Sequence, residues 1–237
     1  MIAEQSGAPP GTVDRLLARL GDAVHDGAPA SPELRVLVER GPEDDLAGPA
    51  ATLAGALGAS ARLTGRSGDG PGLAVLVAAH VPLPGAGAAW LARDVPHLPV
   101  VFGDAEVEVG PLVLPGLTAC LHCVGRHRAE DDRGWSAVAA QLTDGRHPAT
   151  AAGSAVLVHQ VAVVLLRAVA ALTSGRRTGL EGLSLRLGPD GVVSERRWPP
   201  HPGCSCRALP GTETAPAASP GAGRRRPRTA AAQTAPG

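Results

Sequence analysis

The sequence predicts an α/β protein in which helices flank a mainly parallel sheet, and three observations lead there. Strand-like and helix-like stretches alternate from Leu34 to Phe102, and Leu73-Ala74-Val75-Leu76-Val77 is an unbroken apolar run of the kind carried by a strand buried on both faces. A long apolar helix over roughly 149–172 supplies the third. The 237 residues suit one medium domain with appendages or two small domains. Formal charge is zero, so no global field recruits nucleic acid or a membrane, and 2% aromatic residues, with no Tyr and one Phe, are poor equipment for stacking on bases. Lys is absent while Ala, Gly, Leu, Val and Arg dominate, which makes Gly and Pro weaker punctuation than usual.

In chain order, Val13, Leu16, Leu17, Leu20 and Val24 recur at helical spacing and predict an amphipathic helix over 12–25. A strand over 34–38 is followed by a helix over 44–57 whose Leu46, Leu53 and Leu57 face inward, then by strands over 61–64 and 73–77. Trp90 and Leu91 sit on a short helix, and 98–102 is the next strand. Residues 106–109 alternate polar and apolar, as an exposed hairpin strand does, and Trp135, Val138, Ala139 and Leu142 again recur at helical spacing. His159, Gln160 and Arg167 interrupt the long helix and no anchors flank it, which argues for a core helix rather than a membrane span, with His159 a core or interface histidine. Residues 180–187 and 192–198 predict a hairpin through Gly188-Pro189-Asp190-Gly191. Beyond about 209 the composition is that of a disordered tail carrying Arg224, Arg225, Arg226 and Arg228.

A sheet of this class often binds a nucleotide at its first strand–helix turn, through glycines that let phosphates approach a helix N-terminus. Here the turn reads Glu39-Arg40-Gly41-Pro42-Glu43-Asp44-Asp45-Leu46-Ala47-Gly48. Gly41 and Gly48 are too far apart, Pro42 removes a donor, and three successive carboxylates repel phosphate, so the turn argues against an ordinary ATP site. Glu43, Asp44 and Asp45 read instead as helix-capping residues.

All four cysteines fall into two tight pairs, Cys120-Leu121-His122-Cys123 and Cys204-Ser205-Cys206. A tetrahedral metal takes ligands from two chelating corners, and C-x-x-C with a second short pair builds a structural four-thiolate zinc site. Two other readings stay open at this point. A redox couple would use the C-x-x-C in a thioredoxin-like setting and leave the second pair unexplained. Disulfides would belong to a secreted chain, and no basic stretch followed by an apolar one opens this sequence. The C-x-C is tighter than the usual spacing, so His122, His127 and His201 are candidates to replace one sulfur. With four protein ligands the metal keeps no position for water or substrate, and it acts as a staple across roughly eighty residues.

Several further motifs accompany the cysteines: Val95-Pro96-His97-Leu98-Pro99-Val100, Val109-Gly110-Pro111-Leu112-Val113-Leu114-Pro115-Gly116, the basic Arg126-His127-Arg128, Trp135, Gln141-Leu142 and the closing Trp198-Pro199-Pro200-His201-Pro202-Gly203. Together they resemble the ThiF-type (ubiquitin-activating-enzyme-like) superfamily, in the bacterial branch that partners cyclodehydratases making thiazole/oxazole-modified microcins (bacteriocins). The resemblance implies a Rossmann-like α/β domain, a structural zinc on Cys120, Cys123, Cys204 and Cys206, homodimerisation, a cytoplasmic setting, and two partners, a precursor peptide and a YcaO-type enzyme subunit. The family's glycine-rich ATP loop has no counterpart here, and residues 12–25 match at most one helix of its N-terminal winged-helix module.

The expectation is a remnant of that module over 1–30, a ThiF-like α/β domain over 31–209 and a disordered basic tail over 210–237. Its function is expected to be that of a zinc-stapled, non-catalytic scaffold or accessory subunit presenting peptide to a YcaO-type cyclodehydratase, with no catalytic and no nucleotide-binding residue assigned. Two alternatives are an ATP-dependent adenylyltransferase with an unconventional nucleotide site, and a stand-alone regulatory protein whose basic tail meets nucleic acid.

Overall fold

The computed structural model describes residues 34–65, 70–82, 85–143 and 147–207; the helix expected over 12–25 and the tail expected beyond 209 lie outside them. Strands β1 (Arg35–Arg40), β2 (Arg62–Leu63), β3 (Leu73–Ala79), β4 (His97–Phe102), β5 (Val107–Val109), β6 (Leu183–Leu187) and β7 (Val193–Arg197) form one sheet in the order β2-β1-β3-β4-β5-β6-β7. The first four are parallel, and β5, β6 and β7 add antiparallel in turn, so five of the seven strands point the same way.

Both faces of the parallel half are covered, which is why β3 reads as a continuous apolar run and is buried at every residue. Val36, Leu73, Val75, Val77, Leu98, Val100 and Phe102 meet helices α1 (Ala47–Gly58) and α5 (Ala155–Thr173). The alternate residues Leu37, Ala74 and Leu76 meet Trp90 of α2 (Ala86–Leu91) on the opposite face, where α3 (Leu121–Asp131) and α4 (Trp135–Leu142) follow. Trp90 donates its indole N–H to Glu39 Oε2 at 2.9 Å, so the polar end of the ring is satisfied where it enters the core.

Three sequence readings change, while the core helix and the helix at Trp135 form as read. The long helix is interrupted: a short 3-10 turn, Thr150–Gly153, precedes Ser154, whose side chain accepts from Leu157 N–H and starts α5 at Ala155. Eight of the nineteen residues of α5 are buried in the core, so its membrane-spanning length and hydropathy reflect packing on the sheet and α1. His159 is exposed on this helix and donates Nδ1–H to Ala155 O at 2.7 Å, which removes the core-histidine reading. The segment 106–109 does form a hairpin strand with β4, but not an exposed one: β5 lies between β4 and β6 with Val107 and Val109 fully buried, and Arg128 pairs with Glu108 and makes the polar residue tolerable there. Lastly, α4 forms at the helical spacing read from the sequence, yet none of its residues is buried.

Candidate metal centre

The two cysteine corners are delivered by two arms of the antiparallel half. After β5, Gly110 turns the chain at φ +97°, where a Cβ would stand 2.7 Å from Leu183 O, so only glycine permits the close approach to β6. Val113 then pairs with His97 in an isolated antiparallel bridge, and Thr118 Oγ1 accepts from Leu114 N–H at 2.8 Å to close the turn that follows. This arm ends at Cys120, the extended residue that precedes α3, with Cys123 in the first helical turn.

The second arm leaves β7 at Trp198, whose indole N–H donates to Ser184 Oγ at 2.8 Å and whose ring is buried against Val113, Ala119 and Val124. Prolines at 199, 200 and 202 then restrict the chain, and Cys204 N–H donates to His201 O at 3.0 Å to shape the corner.

All four thiols are free, and their sulfurs lie within 4.8 Å of one another. Cys120 Sγ is 3.7 Å from Cys123 Sγ and 3.7 Å from Cys204 Sγ, and Cys123 Sγ is 3.5 Å from Cys206 Sγ. Four thiolates around one ion at a Zn–S distance of ~2.3 Å stand ~3.8 Å apart, so the donor set fits a tetrahedral metal. Cys120 and Cys123 are buried while Cys204 and Cys206 are half-buried, so the centre is closed on its helical side. Burial pushes the Cys120 thiol well above its ordinary range and the Cys206 thiol up to about 11. Burial acts the same way on Cys123, but hydrogen bonds from the backbone of His201 and Cys120 and from the Cys206 and Cys204 thiols outweigh it and bring that thiol down. A cation held by these four residues would favour their thiolate forms, which is the chemistry a bound metal would supply there.

None of the three candidate histidines belongs to this group. His122 is exposed, beside a cleft of about 590 Å³ between α2, α3 and α4, while His127 and His201 gather with Glu130 next to the cysteines. The basic stretch after the C-x-x-C serves packing: Arg128 bonds Glu108 at 2.7 Å and lies over the rings of Trp135 and Trp198, and Arg126 donates Nε–H to His201. Glu108 and Glu130 carried no signal in the sequence, since their partners lie on distant segments.

At the first strand–helix turn the acidic residues do not cap a helix. Glu43 is buried and folds back over Gly41, where its Oε2 fills the space of the missing Cβ and has no hydrogen-bond partner among the described residues. Asp45 accepts instead from Ala149 N–H at 2.7 Å, across the end of the sheet. The physical reason is that the amide entering the 150–153 turn needs an acceptor, and Gly41 leaves room for a carboxylate.

No family model matches the chain, and no curated protein matches it in sequence. Solved structures do. The heterocyclase TruD superposes with a TM-score of 0.56 at 18% identity over 86% of this chain, and a heterocyclase in complex with substrate and cofactor does so at 0.57, 17% and 87%. This chain covers 35% and 32% of those two chains, about a third of their length. The E. coli microcin synthetase McbBCD complex superposes at 0.52 with 12% identity, over 73% of this chain and 69% of that one. E. coli MccB with MccA does so at 0.51 with 11% identity, over 75% and 68%. At these identities the likeness is one of architecture, and the chain has the fold found in heterocyclase and microcin synthetase proteins.

Proposed function

We propose that this chain is a zinc-stapled, non-catalytic scaffold or accessory subunit that presents a precursor peptide to a YcaO-type cyclodehydratase during synthesis of a thiazole/oxazole-modified, bacteriocin-type peptide. The observation that carries the reading is the fold, shared with a heterocyclase over 86% of the chain. MccB with MccA and the McbBCD microcin synthetase are further proteins of that fold. A tetrahedral four-sulfur donor set favours zinc over harder cations, and reduced thiols suit a cytoplasmic protein. The non-catalytic part is supported by Glu43, whose buried carboxylate occupies the approach to Gly41 that a nucleotide phosphate would need. A second copy of the chain is the remaining partner, in keeping with the family resemblance.

The test is reconstitution of this chain with a YcaO-type enzyme and the precursor peptide encoded beside it. Loss of one water per ring, read by mass spectrometry, is expected only when the chain is present. Equal ring formation without it would sink the scaffold reading, and ATP–pyrophosphate exchange by the chain alone would favour an adenylyltransferase.

A further inference from the structure

Beside the four cysteines lies a second group of metal-ligand types: the nearest donor atoms of His127, Glu130 and His201 are all within 4.8 Å of one another. The proton inventory speaks against a second metal. His201 Nδ1 accepts from Gly203 N–H at 2.9 Å and from Arg126 Nε–H at 3.2 Å. The ring proton therefore sits on Nε2, which donates to Glu130 Oε1 at 2.7 Å. Ligation through Nε2 would need that lone pair free, and a neutral imidazole cannot offer both nitrogens as acceptors. His127 in turn uses Nε2 to donate to Pro199 O at 2.9 Å. Apart from the Gly203 bond, these run from α3 to the arm that carries Cys204 and Cys206.

His201 is the joint of that arm. Its buried ring is bound to α3 through Arg126 and Glu130, and its own carbonyl accepts the Cys204 N–H. Cys120 and Cys123 stand at the other end of the same helix. Gly203 is part of the fit, because a Cβ there would meet Arg126 Nη2 at 2.9 Å and His201 Cε1 at 3.3 Å. We propose that His201 is the positioning residue of the metal centre, holding the Cys204/Cys206 corner opposite the Cys120/Cys123 corner so that a single metal finds its four ligands already arranged. The inference rests on the metal reading of the cysteines and adds that one chain takes one metal.

The experiment measures zinc content and zinc affinity, by competition with a chromophoric chelator, in the full-length protein and in His201→Ala, His201→Asn and Gly203→Ala. Loss of a group that orients metal ligands weakens binding about 10–100-fold, and that is the expectation for His201→Ala. His201→Asn keeps an acceptor near the place of Nδ1 and should recover part of the loss. Gly203→Ala leaves the ring but displaces its partners and should fall between, which keeps the test decisive if His201→Ala fails to fold. A merely structural role would lower the melting point of zinc-free and zinc-loaded protein alike and leave affinity unchanged. One zinc in the unsubstituted chain with unchanged affinity in the folded variants overturns the positioning role alone. A second zinc retained by Cys-to-Ser variants overturns the proton inventory, and an unsubstituted chain without zinc overturns the metal reading and this inference together.

Discussion

Cys123 and Cys206 stand 3.5 Å apart and are pulled in opposite directions, one thiol lowered by hydrogen bonds and the other raised to about 11. Cys120 and Cys206 are both protonated at neutral pH, so each metal that binds displaces at least these two protons. Affinity should then fall as pH falls, by about a hundredfold per unit or more, and a chelator competition across about pH 6–8 reads the slope directly. Replacing any one of the four with Ser leaves three ligands, and about one zinc per chain should drop to near none on elemental analysis. Glu181 gives a second pH dependence, away from the metal. Burial raises its carboxyl, but the N–H groups of Thr178, Glu181 and Gly179 more than offset that and hold it below the ordinary carboxylate range. A depressed folded value means that its stabilisation is complete above the unfolded value and disappears as pH falls through the folded one. Glu181→Gln should therefore cost about 1–2 kcal/mol near pH 7, with the gap to the unsubstituted protein closing in acid, as urea titrations at several pH values would show. The cysteine cluster was legible because all four cysteines fall into two tight pairs, a spacing that a tetrahedral metal would ask for. Arg126, Glu130 and Glu108 were not, because the partners they meet are 75, 71 and 20 residues away.

Helix α3 shows how one element serves two layers. Its first turn carries the first cysteine corner, while Arg128 on its last turn reaches β5 at Glu108 and stacks over Trp198 of the second arm. Both members of the Arg128–Glu108 pair are largely buried, and removing Arg128 leaves Glu108 only the longer contact to Arg186 Nη2 at 3.8 Å. Arg128→Met should destabilise by about 2 kcal/mol, since Arg186 still faces the carboxylate, and adding Glu108→Gln should return part of it, which thermal melts of the single and double variants would resolve. If the double variant is no better than the single, the pair is not what holds helix to strand. The strands of the parallel half were legible since burial on both faces leaves a purely apolar run. The position of β5 was hidden because period-2 alternation reports that one face is polar, and cannot say that an arginine from a helix covers it. The acidic turn misled in the same way: its carboxylates look like caps until Gly41 and Ala149 are placed beside them.

Across the described residues, the parallel half is built around β3, and the antiparallel half joins it through the β4–β5 ladder and the core under α5. The cysteine cluster brings together positions 84 residues apart at Cys120 and Cys204, and a metal bound there would close the antiparallel half on itself. Constraining a loop of that size removes about 4–5 kcal/mol of chain entropy from the unfolded state. Stripping the metal should lower the melting temperature by about 10 °C, and it should make the hairpin's Arg196 and Arg197 the early sites of tryptic cleavage. Equal melting with and without metal would show that the arms hold without it. The long separation has a further consequence for how the protein is made. At about 5–20 residues per second, Cys120 and Cys123 leave the ribosome several seconds before Cys204 and Cys206 exist. For that interval the nascent chain displays an open two-thiol claw, and the supply of metal and reductant around the ribosome decides whether the last arm finds it intact.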